Sequence, residues 1–171
     1  MKNSTTITHS KQTLTTYYDV KTFKNTKTLW DTKQSLSLFH TNMCSLQANI
    51  EHLEDLLHDM NYDFDVLALT ETWHSDKTSF SPKRLDGYLD YLGTKGSSLK
   101  GGCGFYIKDS LTPIPRKDLE FKLDTPGSET ETCWIELVNT TGPNTLIGTI
   151  YRHPSKNNEL FLENLKKTLK K

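Results

Sequence analysis

The chain has 171 residues, 34% hydrophobic and 25% charged, enough for one ordinary domain but lean in apolar residues, so one core is expected with part of the chain outside it. Basic and acidic residues number 21 each, and a formal charge of zero gives no bulk signature of nucleic-acid binding. The sequence has no apolar run of membrane-spanning length and no apolar stretch after Lys2, which argues against a transmembrane segment, a secretory signal and a membrane partner.

Residues 1–35 are rich in Thr and Lys, with scattered apolar residues at no helical or strand period, and read as a disordered polar tail. Residues 36–171 read as the folded part. Residues 36–41 predict a strand with partners on both sides, Leu36, Leu38 and His40 on one face and Phe39 on the other. Ser45 is a candidate N-cap for a helix whose Leu46, Ile50, Leu53, Leu57 and Met60 share a face, ending near Asn61. Residues 65–70 form a near-continuous apolar run, as a central strand buried on both faces would. A strand, helix, strand unit places its strands parallel through a right-handed crossover, so both C-terminal ends share one sheet edge. Asn42 and Glu71 follow those two ends and are expected to converge where open α/β sheets tend to bind ligands.

Residues 72–100 are loop-like, with one short strand expected at 87–92. Residues 103–107 predict a strand led in by glycines. Residues 132–138 alternate Cys133, Ile135 and Leu137 against Trp134, Glu136 and Val138, and turn residues at 141–144 join them to a strand at 146–151 as an antiparallel hairpin. Residues 158–171 read as a helix with Phe161, Leu165 and Leu169 at spacing four. The five strands are expected to share one mixed sheet.

Cys44, Cys103 and Cys133 form neither a disulfide framework nor a paired zinc-ligand pattern, which points to a reducing, intracellular setting, nuclear or cytoplasmic. Glu71 follows an inner apolar strand without a break, where a charge is costly unless a partner or a metal holds it. Mg²⁺ commonly takes one or two protein carboxylates plus phosphate oxygens, so a single well-placed Glu is chemically reasonable; by position alone, a solvated strand-end Glu is the commoner case. Asn42 offers an amide that can support such a carboxylate, although an Asn before a helix is most often a turn residue. Residues 96–103 miss a nucleotide-binding P-loop, because Gly102 and Cys103 stand where Lys and Ser or Thr are required, so no nucleotide cofactor is expected. Tyr151 and Arg152 end the hairpin and could contact a phosphate, though Tyr there more often packs on the sheet. His40, His74 and His153 make no nucleophile, base and orienter pattern.

Asn42, Glu71 with Thr70 and Thr72-Trp73, the glycines at 101, 102 and 104, Asp86-Gly87-Tyr88, and Tyr151-Arg152 with Pro154 occur in an order that resembles the endonuclease/exonuclease/phosphatase superfamily. The resemblance is closest to the apurinic-type endonuclease domain of LINE-like non-LTR retrotransposons, over residues 36–165. It implies an α/β fold of the deoxyribonuclease I-like type, of which this chain would supply the N-terminal half: one mixed sheet flanked by helices from a four-layer sandwich. It implies Glu71 as a Mg²⁺ (or Mn²⁺) ligand, Asn42 and Tyr151 as catalytic residues beside metal and phosphate, and Arg152 as a DNA-backbone contact. The family's later Asp-x-Asn and terminal Asp-His, which position the attacking water, have no counterpart after Tyr151. The expectation is therefore the front of a DNA-nicking domain from a retrotransposon-derived frame, lacking the C-terminal half of its site and inactive alone. The alternatives are a non-catalytic remnant that binds DNA or protein, and the front half of a superfamily phosphatase.

Overall fold

The computed structural model describes residues 18–26, 35–76, 79–96, 100–123, 129–154 and 158–170. Its elements in chain order are α1 (Val20–Thr26), β1 (Leu38–Asn42), α2 (Leu46–Met60), β2 (Val66–Thr70), β3 (Leu92–Thr94), β4 (Cys103–Ile107), β5 (Pro113–Pro115), β6 (Lys122–Leu123), β7 (Thr130–Leu137), β8 (Thr145–Arg152) and α3 (Glu159–Thr168).

The expected strand, helix, strand unit is present. β1 and β2 are parallel, with Asn42 opposite Thr70, so their C-terminal ends are level. Between them, Ser45 Oγ accepts from the Ala48 amide at 3.3 Å, and Asn61 closes α2 in the left-handed region with φ 49°. Leu46, Ile50 and Leu53 bury the inner stripe of α2 against Leu67, Leu69 and Tyr106. β2 is buried along its whole length between β1 and β4, as its unbroken apolar run requires.

The α/β class holds, with mixed and antiparallel sheets, but the strands do not share one sheet. The first sheet has order β1-β2-β4-β3; the second has β7 at its centre, paired with β5 and β6 on one side and β8 on the other. The physical reason is visible in the side chains. Val66, Ala68, Cys103, Phe105 and Ile107 need a cover, and Cys133, Ile135, Leu137 and Ile147 on alternate positions of the hairpin supply it. The expectation that this chain supplies one mixed sheet is thereby corrected: α2, the first sheet and the second sheet form three packed layers. α3 attaches near the β5–β6 connection, where Phe161 meets Phe121 and the Thr168 hydroxyl donates to the Leu119 carbonyl.

Three smaller corrections follow. β1 has strand pairing to β2 alone among the described residues, and its alternate exposure is that of an edge strand, not one with partners on both sides. The strand expected at 87–92 falls at Leu92–Thr94, leaving at Tyr88 a single bridge to Lys108. Within the stretch read as a polar tail, Val20–Thr26 is helical, because Phe23 finds the rings of Tyr62 and Phe64 at 5.7 and 5.9 Å. The rest of that tail, residues 1–17 and 27–34, lies outside the described residues. Among the described residues, no helix is long and apolar enough to cross a membrane.

Candidate active site

Because β1 and β2 run parallel and end level, Asn42 and Glu71 meet at one edge. The Asn42 Nδ2 donates to Glu71 Oε1 at 2.8 Å. Asn42 Oδ1 accepts from the Cys44 amide at 3.1 Å, which fixes the orientation of the amide plane. The thiol of Cys44 lies 3.6 Å from Glu71 Oε2, and the Tyr151 hydroxyl hydrogen-bonds the same carboxylate from the end of β8. Three of the four residues singled out in the sequence thus converge. Arg152 follows Tyr151 on β8 and is not brought onto the carboxylate; its Nη1 donates to the His153 carbonyl at 3.3 Å.

The backbone around this carboxylate is unusual. Among the described residues, four of the five non-glycine residues with positive φ are Cys44 (45°), Ser45 (92°), Glu71 (49°) and Trp73 (59°). Left-handed backbone costs roughly 1–2 kcal/mol per such residue and persists only where the surroundings impose it. Here they do. The Met43, Ser45 and Leu46 amides donate to the carbonyls of Thr70, Glu71 and Thr72, while the Thr72 and Trp73 amides donate to those of Gly102 and Gly101. Glu71 is therefore carried on a short segment pinned from both sides.

The glycines of residues 101–104 serve this pinning. Gly102 has φ 91°, and a Cβ there would meet Thr72 Oγ1 at 2.6 Å; at Gly101 it would meet Glu131 Oε1 at the same distance. Both need glycine for close approach to neighbouring protein groups.

Burial pushes the Glu71 carboxyl up, but hydrogen bonds from Asn42, Tyr151 and Cys44, with the charge of His153, outweigh it and hold it below the ordinary value. The Tyr151 phenol is driven upward, first by burial and then by its bond to Glu71. The Cys44 thiol is also raised, by burial and then by Glu71. At neutral pH the site presents an ionised carboxylate among neutral donors.

Two neighbours escaped the sequence reading. Cys44 faces Glu71 from the turn between β1 and α2, and nothing in its spacing marks it. Glu131 is a carboxylate only 1% exposed, on β7 opposite Tyr151. It carries a readable signal: the inward alternation of Cys133, Ile135 and Leu137, continued two residues back, puts a charge on an apolar face.

Comparison with known protein families matches residues 42–154 to the endonuclease/exonuclease/phosphatase family. That match spans more than half of the chain and runs from Asn42 to Pro154, through every residue of the cluster. The chain belongs to the endonuclease/exonuclease/phosphatase family. No curated protein matches it. Membership makes this a nuclease- or phosphatase-type hydrolase domain, of a family that generally depends on a divalent metal. Among the described residues, no three His, Cys, Asp or Glu side chains are grouped to hold an ion. The residues present in this endonuclease/exonuclease/phosphatase domain nonetheless fit a hard cation: Glu71 offers ionised oxygens at a partly open edge, with Asn42 holding Oε1 in place.

Proposed function

We propose that this chain is the front part of a Mg²⁺-dependent, DNA-nicking endonuclease domain of the LINE-type retrotransposon branch, acting on phosphodiester bonds. The observation that carries the reading is the convergence of Asn42 and Tyr151 on the Glu71 carboxylate at one sheet edge. Glu71 would hold Mg²⁺, with Mn²⁺ as an acceptable substitute, and the ion when bound would stabilise charge on the phosphate. Asn42 keeps Oε1 of Glu71 turned to that position, and the Tyr151 phenol, held protonated, offers a donor to a phosphate oxygen. Arg152, next along β8, supplies a cation for the DNA backbone. The branch assignment rests on the ordered motifs, ending in Tyr151-Arg152 with Pro154.

A second set of groups must position the attacking water. Residues 125–171 contain no Asp, and the only carboxylates after Tyr151 are Glu159 and Glu163 on α3. We assign that role to groups outside these 171 residues. General acid/base catalysis contributes about two to four powers of ten in rate, so this chain alone is expected to leave supercoiled plasmid intact in Mg²⁺. Fused to the second half of a related domain it should nick, and Glu71→Ala, Asn42→Ala and Tyr151→Phe should each cut the rate by about 10²-fold or more. Nicking indifferent to all three substitutions would overturn the reading. Phosphate release from nucleotides or phospholipids without nicking would move the domain to the phosphatase branch.

A further inference from the structure

Glu131 places a buried carboxyl group where the packing of the two sheets does not require one. Its neighbours along the inward face of β7 are Cys133, Ile135 and Leu137, and removing a carboxylate from water costs several kcal/mol unless the site repays it. It lies between two segments that bear on Glu71. On one side, Oε1 lies 3.8 Å from Nε2 of His153, whose ring packs edge-on against Tyr151 with centroids 4.7 Å apart. On the other, the same carboxylate lies against Gly101, where a Cβ would come within 2.6 Å of Oε1. The Gly101 carbonyl takes the Trp73 amide at 2.8 Å, and the Gly102 carbonyl takes the Thr72 amide at 3.2 Å. Both segments that hold Glu71, the end of β8 and the glycine lead into β4, therefore rest on one buried carboxylate.

We propose that Glu131 is a positioning residue: it clamps the Tyr151–His153 segment and the Gly101–Gly102 segment together beneath Glu71 and so holds the metal-binding carboxylate in its left-handed backbone position. The catalytic meaning of this clamp rests on the function proposed above; the clamp itself does not.

Amide hydrogen exchange on the full chain separates the two. In Glu131→Gln, a near-isosteric neutral change, the Thr72 and Trp73 amides should exchange at least about tenfold faster, while the β7–β8 ladder and α2 keep their protection. A general structural role would loosen the ladder as much as the Glu71 segment, and that result would overturn the proposal, as would unchanged exchange at Thr72 and Trp73. Gly101→Ala gives an independent route should the Gln variant fold poorly. Its added methyl must displace the carboxylate, so it should loosen the same two amides, and much less so in a Glu131→Ala background where the space is vacated. Additive effects would mean that Gly101 and Glu131 act separately and would sink the clamp. Failure of the wild type to bind a divalent ion, with the exchange pattern as expected, would instead count against the proposed function and leave the clamp standing.

Discussion

The Asn42 side-chain amide donates to Glu71 Oε1 across 2.8 Å, joining residues 29 positions apart in the chain. It does so because a parallel pair of strands brings both residues to the same edge, and because the Cys44 amide on Oδ1 leaves Nδ2 facing the carboxylate. One consequence is electrostatic. Asn42 is among the groups that hold the Glu71 carboxyl low against the effect of burial, so Asn42→Ala should raise its titration midpoint. A carboxyl depressed in the folded state contributes stability that is present above its unfolded value and lost as pH falls through the folded one. The variant should therefore have a smaller contribution, and as pH falls from the shared unfolded value its loss should be complete at a higher pH than in the wild type. Carboxyl ¹³C titration of Glu71 in the two proteins checks the direction; an unmoved midpoint would mean that the amide does not stabilise the charge.

The left-handed backbone at Glu71 gives a prediction about stability rather than activity. With φ 49°, the position favours glycine over any residue carrying a Cβ. Both Glu71→Ala and Glu71→Gly remove the carboxylate, but the glycine variant should be more stable than the alanine variant by about 1 kcal/mol. Urea unfolding of the pair measures the difference. Equal stability, or a less stable glycine variant, would show that the backbone there is not strained.

The space between the sheets is filled by groups such as Phe105, fully buried on β4 and packed in the same cluster as Ile135 and Ile147. Phe105→Ala should cost about 3–5 kcal/mol. Leu162 on α3, half exposed, should cost within about 0.5 kcal/mol on the same change. A small loss at Phe105 in denaturant unfolding would contradict a core shared by two sheets.

The helix at Val20–Thr26 depends on one aromatic anchor. Its Asp19 carboxylate accepts from the Thr22 amide at 2.6 Å, but a seven-residue helix is too short to hold by propensity. Phe23→Ala should strip exchange protection from residues 20–26 while leaving β2 and β4 protected, at a cost of about 1–2 kcal/mol to the domain. Protection that survives the substitution would require a contact other than the Tyr62 and Phe64 rings.

Much of this was readable from the sequence where a local signal agreed with the global fold. Ser45 and Asn61 marked the ends of α2, the run from Val66 to Thr70 marked a central strand, and the position of Asn42 and Glu71 at the ends of parallel strands anticipated that the two would meet. What was missed has a common cause: it depends on partners distant in the chain. The division into two sheets is set by which apolar faces meet, and alternation along 132–138 gives a buried face without saying what covers it. Phe23 looked isolated because its rings lie about forty residues away. β5 and β6 are short pieces defined by pairing with β7, not by composition. Glu131 escapes the sequence because composition marks the strand only from Thr132, two residues after β7 begins at Thr130, so that its inward face ends before the carboxyl group.

The central claim is that Glu71, supported by Asn42 and Tyr151, forms a divalent-metal site at this edge. Titrating Mn²⁺ into the uniformly ¹⁵N-labelled chain tests it most directly, since paramagnetic broadening reports where the ion sits without requiring catalysis. The account predicts selective broadening of the Asn42, Cys44, Glu71, Thr72 and Tyr151 amides, competed by Mg²⁺ and abolished by Glu71→Ala. Broadening centred elsewhere, or persisting unchanged in the Glu71→Ala variant, would contradict it.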